Sequence, residues 1–198
     1  MARMSQVDRR LQLVEAAIVV MTRDGVRSAT TRAIAGEAGA SLSVFHYCFD
    51  SKSALLGEVV TTLVERTAAG SRDALAAVEP DGDPVRASLM AFWGHVTSHP
   101  DEHQLTYEIT QHCLRDPELA EVTREQYERY VEVIAEHLAL GLPTAASTEQ
   151  VRLLARYLAV MIDGLTLDWL VRRDDAGALA VLETVITHVN HLLSETVV

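Results

Sequence analysis

Between positions 30 and 52 the chain gathers hydroxyl, guanidinium, imidazole and phenol groups: Thr30, Thr31, Arg32, Ser41, Ser43, His46, Tyr47 and Lys52, with the methyl-bearing Val44 among them. Such groups can grip phosphate oxygens and read base edges, provided that short helices present them on one surface. A second set is spread over the later chain. Leu63, Met90, Trp93, Tyr107, Thr110, Tyr127, Tyr130, Ile134, Met161 and Trp169 suit the walls of a pocket for a medium-sized, mostly apolar or aromatic molecule. Asp163 lies inside the apolar stretch 158–171, where an ionised carboxylate needs a partner. It can read a ligand cation or hydroxyl, or be satisfied by an internal donor such as Arg156, a tyrosine or a helix N-terminus, and the internal donor is the expected outcome.

Other chemistries are weakly represented. His95, His99 and His103 recur every four residues, but Pro100 interrupts them. His112 beside Cys113 with Glu108, and His188 with His191, are short clusters without the spacing of a metal site. Surface or boundary histidines are the expected reading, with no metal and no cofactor. The 10 glycines form no phosphate loop and no nucleophile–base signature is present, so no catalytic residue is assigned. Cys48 and Cys113 have no Cys-x-x-Cys pairing and read as reduced thiols.

The elements that must position these groups are helices. Leu11, Val14, Ala17, Ile18 and Met21 mark a first helix over 7–23, stopped by Asp24-Gly25. Hydroxyl caps in 28–31 open a short second helix that Gly39 ends, and Ser41 or Ser43 caps a third, with Phe45 and Phe49 expected in the core. Two short helices across a Gly turn form a helix-turn-helix candidate. Longer helical patterns follow over 52–78, 85–99, 105–113, 119–140, from Ser147 or Thr148 to 173, and over 179–193. The breaks fall at Pro80–Pro84, Ser98-His99-Pro100, Asp116-Pro117, Gly141-Leu142-Pro143 and, weakly, Gly177. The expectation is an all-α protein of nine helices.

Charge is partitioned along the chain. The 198 residues carry a formal charge of −11, but residues 1–60 have seven basic and six acidic groups, so the acidity belongs to the rest. Contact with a polyanion must therefore be local to the N-terminal end. The sequence has no uninterrupted apolar run of membrane-spanning length and its start lacks a secretory apolar core, so no membrane partner and a cytoplasmic location are expected.

The details of 30–56 go further. Thr-x-x-x-Ile-Ala, Ala-Gly-Ala-Ser, a short aromatic helix ending at Phe49 and Ser-Lys-x-x-Leu-Leu occur in an order that resembles the helix-turn-helix of the tetracycline-repressor (TetR) family. The resemblance extends to the nine-helix layout. It implies a three-helix DNA-binding domain over 1–51 and a ligand-binding and dimerisation domain over 52–198. It also implies a homodimer through the last two helices, a palindromic double-stranded DNA operator, and a small-molecule effector that releases a repressor. Thr30, Thr31 and Ser41 are then the phosphate grippers, joined by Arg32, Ser43 and Lys52, while Val44, His46 and Tyr47 are the specificity candidates.

Three positions depart from the family's usual pattern. His46 stands where a tyrosine is common, Cys48 where another aromatic or histidine is, and Leu42 where a basic residue often is. Fewer cations imply a shallower salt dependence, and an imidazole at position 46 implies DNA affinity that responds to pH. A helical ligand-binding protein that has lost specific DNA binding is the alternative these departures raise. An enzyme is the more remote one.

Overall fold

A computed structural model describes residues 5–79, 81–117, 119–141 and 148–195. Nine α-helices and no strand occur among them: α1 (Gln6–Asp24), α2 (Thr31–Glu37), α3 (Leu42–Cys48), α4 (Lys52–Ala76), α5 (Pro84–Ser98), α6 (Pro100–Leu114), α7 (Ala120–Gly141), α8 (Thr148–Arg172) and α9 (Asp175–Glu195). Pro80, Leu142, Pro143 and Ser147, read above as breaks and a cap, lie outside the described residues.

Local chemistry sets the helix starts. Ser5 and Asp8 form a reciprocal capping box on α1, Thr30 caps α2 through the amide of Ala33, and Ser41 rather than Ser43 caps α3 through the amide of Val44. Asp83 caps α5, with Pro84 in its first turn, where a missing N–H costs nothing. Pro100 likewise opens α6, so His95 and His99 end one helix and His103 belongs to the next. The break before the last helix differs from the one expected at Gly177. It falls at Arg173, whose φ is 53°, and Asp174 then accepts from the amide of Gly177, which places that glycine in the first turn of α9. A strong Asp cap at 174 outweighs the weak helix-breaking tendency of one glycine.

The chain forms two compact units. One unit takes residues up to Val64 together with Asp101–Gln126; the other takes Glu65–Pro100 and the chain from Tyr127 onward. In the first, α1, α2 and α3 are too short to close a core alone. Phe45, Phe49, Leu13, Met21 and Ile34 are buried with Leu55, Leu56 and Val59 of α4 and Leu105, Ile109 and Cys113 of α6. Each fully buried side chain of this size contributes about 1.5–3 kcal/mol. In the second unit, Trp93 and Val96 of α5, Ala155, Leu158, Ile162 and Trp169 of α8, and Leu182, Val185, Ile186 and Val189 of α9 share one core. By length and composition α9 over Asp175–Ser194 could cross a membrane, yet Leu182, Val185, Ile186 and Val189 recur at helical spacing and turn one face into that core.

Candidate functional site

The surface formed by α2 and α3 follows from their caps. Because each helix is seven residues long, a third or more of its side chains stay outside the core even when Ile34, Ala35, Phe45 and Cys48 are buried. Thr30, Arg32, Ser41, Ser43, His46 and Tyr47 are exposed, Tyr47 to 69%, and Thr31 is partly exposed. The Ser41 and Ser43 hydroxyls lie 2.7 Å apart at the start of α3. The His46 ring meets Phe45 edge-on, with centroids 5.5 Å apart. Val44 is half-buried against the core of the first unit. Helix α3 thus presents hydroxyls at its N-terminus and an imidazole and a phenol further along, a set able to meet phosphate and base edges.

Lys52 is placed differently from the others. Its ammonium donates to the carbonyl of Val26 at 3.0 Å, and burial lowers its pKa. The amide of Val26 in turn donates to Glu108 Oε1 at 2.7 Å. The turn between α1 and α2 is therefore held at the main chain of Val26 by one side chain from α4 and one from α6. Gly25 makes this approach possible: its φ is 82°, and a Cβ there would stand 3.3 Å from Glu108 Oε1.

Sequence reasoning missed the side chains that hold the two short helices in place. Arg10 on α1 donates to the carbonyl of Cys48 at the end of α3, pairs with Glu58 on α4, and lies 4.4 Å over the Phe49 ring. Gln12 donates to the carbonyl of Ala38, at the end of α2, at 2.9 Å. Both look like ordinary polar positions of an amphipathic helix, and their carbonyl partners lie 38 and 26 residues away. The one available sign was an arginine beside the apolar stripe of the first helix.

The residues proposed for a ligand pocket are divided between the units. Leu63, Tyr107 and Thr110 belong to the first: Leu63 is buried in its core, and the Thr110 hydroxyl is taken by the carbonyl of Thr106 at 2.9 Å. Met90, Trp93, Tyr127, Tyr130, Ile134, Met161, Asp163 and Trp169 belong to the second. There Trp93 and Trp169 meet edge-to-face at 5.7 Å, and both are buried. The Trp169 indole donates to Asp175 at 2.7 Å and its ring carries the Arg173 guanidinium at 4.5 Å, so it also locks the α8–α9 turn. Tyr130, Ile134 and Met161 are half-buried against this core, whereas Met90 and Tyr127 are exposed.

Asp163 has the internal donor expected of it. Tyr127 on α7 donates to Asp163 Oδ2 at 3.2 Å, Tyr130 donates as well, and the two phenol rings meet at 5.9 Å. Burial pushes the carboxyl up to about 6, against a smaller opposing effect of the two phenols. Burial, with Asp163 beside it, pushes Tyr127 up to about 12, so its phenol is neutral and donates.

Residues 13–59 match the family described as bacterial regulatory proteins, tetR family, and residues 85–194 match the one described as BetI-type transcriptional repressor, C-terminal. The nicotine-responsive transcriptional repressor HdnoR of Paenarthrobacter nicotinovorans is 33% identical over 171 residues, which span 84% of this chain and 86% of that protein. The transcriptional regulator BetI of Vibrio parahaemolyticus is 26% identical over 162 residues, 80% of this chain and 79% of the relative. Among solved structures, the multidrug binding protein EbrR in complex with ethidium shares the fold with a TM-score of 0.71 at 21% identity, covering 92% of this chain and 98% of that one. A TetR-family member from Streptomyces coelicolor A3 gives 0.71 at 22% identity over the same 92% and 98%. The helix-turn-helix surface and the matches at both ends of the chain lead to one conclusion: this protein belongs to the TetR family of DNA-binding transcriptional regulators.

Proposed function

We propose that the protein is a cytoplasmic repressor that binds a palindromic operator as a homodimer and leaves it when a small, mostly apolar or aromatic molecule binds residues of its 52–198 region. The observation that carries the DNA half is the exposed α3 face, where Ser41, Ser43, His46 and Tyr47 stand on a helix whose two ends are held by side chains and caps. Thr30, Thr31 and Arg32 extend it along α2. Val44, His46 and Tyr47 are assigned the reading of bases, and the hydroxyls the phosphates. In this reading Lys52 acts behind the DNA surface, by holding Val26, more than on it.

Leu153, Val160, Leu167 and Val171 support a dimer through α8 and α9. These are exposed by 51–77% and spaced so that one face of α8 is apolar and uncovered. Val181, Thr184 and His188 of α9 are exposed too, beside a shallow groove of about 460 Å³ lined by Glu183, Thr184, Thr187, His188 and His191. An operator with two half-sites about 34–36 Å apart requires two-fold-related recognition helices, and an isologous interface supplies them. Helix α4 is the natural carrier of the signal, since it contributes residues 52–64 to one unit and 65–76 to the other. An effector acts only through different affinities for the DNA-competent and incompetent states. The family of the relatives, one of them named as nicotine-responsive, supports a small organic effector.

The test is binding of the purified protein to DNA fragments flanking its own gene across a salt series, with an unrelated fragment as control. The expected result is saturable binding with a two-fold footprint. Tyr47→Ala should weaken it by about tenfold or more while leaving the melting temperature unchanged, because the side chain is exposed. Binding no tighter than to the control fragment at any salt concentration would favour a ligand-binding relative that no longer reads DNA.

A further inference from the structure

Described residues 5–64, which take in the first three helices, their turns and the start of α4, carry six cations, and four of them are engaged within the protein. Arg10 is neutralised by Glu58, and Arg23 by Asp24 and Glu37 at 2.9 and 3.0 Å. Arg9 donates to Gln12 at 2.8 Å, and Lys52 to the carbonyl of Val26 at 3.0 Å. Arg27 and Arg32 remain: both are exposed, and neither makes a hydrogen bond or ion pair with another described residue.

Arg27 stands in the turn between α1 and α2, ahead of the residues that mark the helix-turn-helix. The inner side of that turn is closed. Val26 and Ala29 are fully buried, and both main-chain groups of Val26 are tied, one to Glu108 of α6 and one to Lys52 of α4. Its outer side is formed by Arg27 and Ser28, and the amide of Thr30 donates back to the Ser28 carbonyl at 2.9 Å, so the turn runs without slack into Thr30, Thr31 and Arg32. The backbone beneath Arg27 is thus already ordered, and a contact made by its guanidinium costs side-chain freedom only. That group is always charged and offers two phosphate oxygens a matching pair of N–H donors.

We propose that Arg27 is a phosphate-binding residue of the operator surface and that, with Arg32, it flanks the hydroxyls of Thr30 and Thr31 as the cationic footprint of each DNA-binding head. This rests on the reading of α2 and α3 as the operator-binding surface. A cation held by a carboxylate must give up that partner before it gains from phosphate, whereas Arg27 displaces condensed counterions without losing one. Its contact is with the DNA backbone, so it sets affinity and register and leaves the choice of bases to Val44, His46 and Tyr47.

The experiment measures operator binding by the full chain between about 50 and 200 mM salt. The slope of log affinity against log salt is expected to flatten by about 2 in Arg27→Ala, one contact being lost from each protomer of a dimer. Arg27→Lys should keep most of the wild-type slope. Arg72→Ala, which removes an exposed cation about 30 Å along α4 from Lys52, should leave the slope unaltered. Arg27→Ala should also lose affinity by the same factor for the operator and for an operator with one half-site base pair changed, the mark of a backbone contact. An unchanged slope in Arg27→Ala, or an altered preference between the two operators, overturns the proposal. Because Arg27 is exposed and holds no described partner, the variant is expected to melt with the wild-type protein, and melting temperature is checked in each case. If the wild-type protein gives a two-fold footprint and Arg27→Ala keeps its full slope, this contact falls and the regulator reading stands. If the wild-type protein binds no fragment more tightly than the control, both fall.

Discussion

An ionised carboxylate at position 163 costs the free protein stability. Its folded pKa of about 6 lies above the ordinary 3.8, so between those values the folded state holds the proton more tightly than the unfolded chain. The contribution of this group is therefore greatest below pH 4, declines as the pH rises toward 6 and is flat above that. The linkage amounts to about 3 kcal/mol at most. Asp163→Asn is expected to melt with the wild-type protein near pH 4 and above it near pH 7.5, the difference opening between the two. A variant less stable than wild type at pH 7.5 would show that hydrogen bonding to the charged form outweighs desolvation. That this aspartate needs a partner was legible in the sequence, from an acid in the middle of the apolar stretch 158–171. Which donor supplies it was not, because Tyr127 lies 36 residues away on another helix.

At the scale of the element, sequence and structure agree at most positions where the cause is local. The caps at Thr30 and Ser41, the proline at the start of α5 and the burial of Phe45 and Phe49 depend on neighbours within a few residues and could be read directly. The α8–α9 break was misplaced because Arg173 takes up a left-handed conformation for which arginine has no special preference, and Asp174 then caps the new helix. The anchoring of α3 was invisible for a different reason: it joins three helices through one guanidinium. Arg10→Ala should cost about 1–3 kcal/mol in chemical denaturation and weaken operator binding beyond what stability explains, since it leaves the Cys48 carbonyl and Glu58 without their cation. Arg10→Lys should recover only part, because a lysine cannot reach two acceptors in a fork.

At the scale of the whole molecule, the nine helices among the described residues and an acidic C-terminal portion were legible, because periodicity and charge are summed over many residues. The two packing units were not, because α6 joins the N-terminal core across a large separation in sequence. If the apolar face of α8 is the seam of a homodimer, Leu167→Glu should halve the mass in sedimentation and cost operator affinity about a hundredfold or more, while helicity persists. An unchanged mass would move the seam elsewhere. One further consequence follows from the turn at Val26, whose N–H goes to Glu108 and whose carbonyl goes to Lys52. Both attachments are made to main-chain atoms, and neither anchoring side chain lies between Thr30 and Cys48. The reading head is in that sense interchangeable: a segment of the same length that keeps Ile34, Ala35, Phe45 and Cys48 in the core can carry different exposed residues, and the link through which α4 and α6 govern it stays in place.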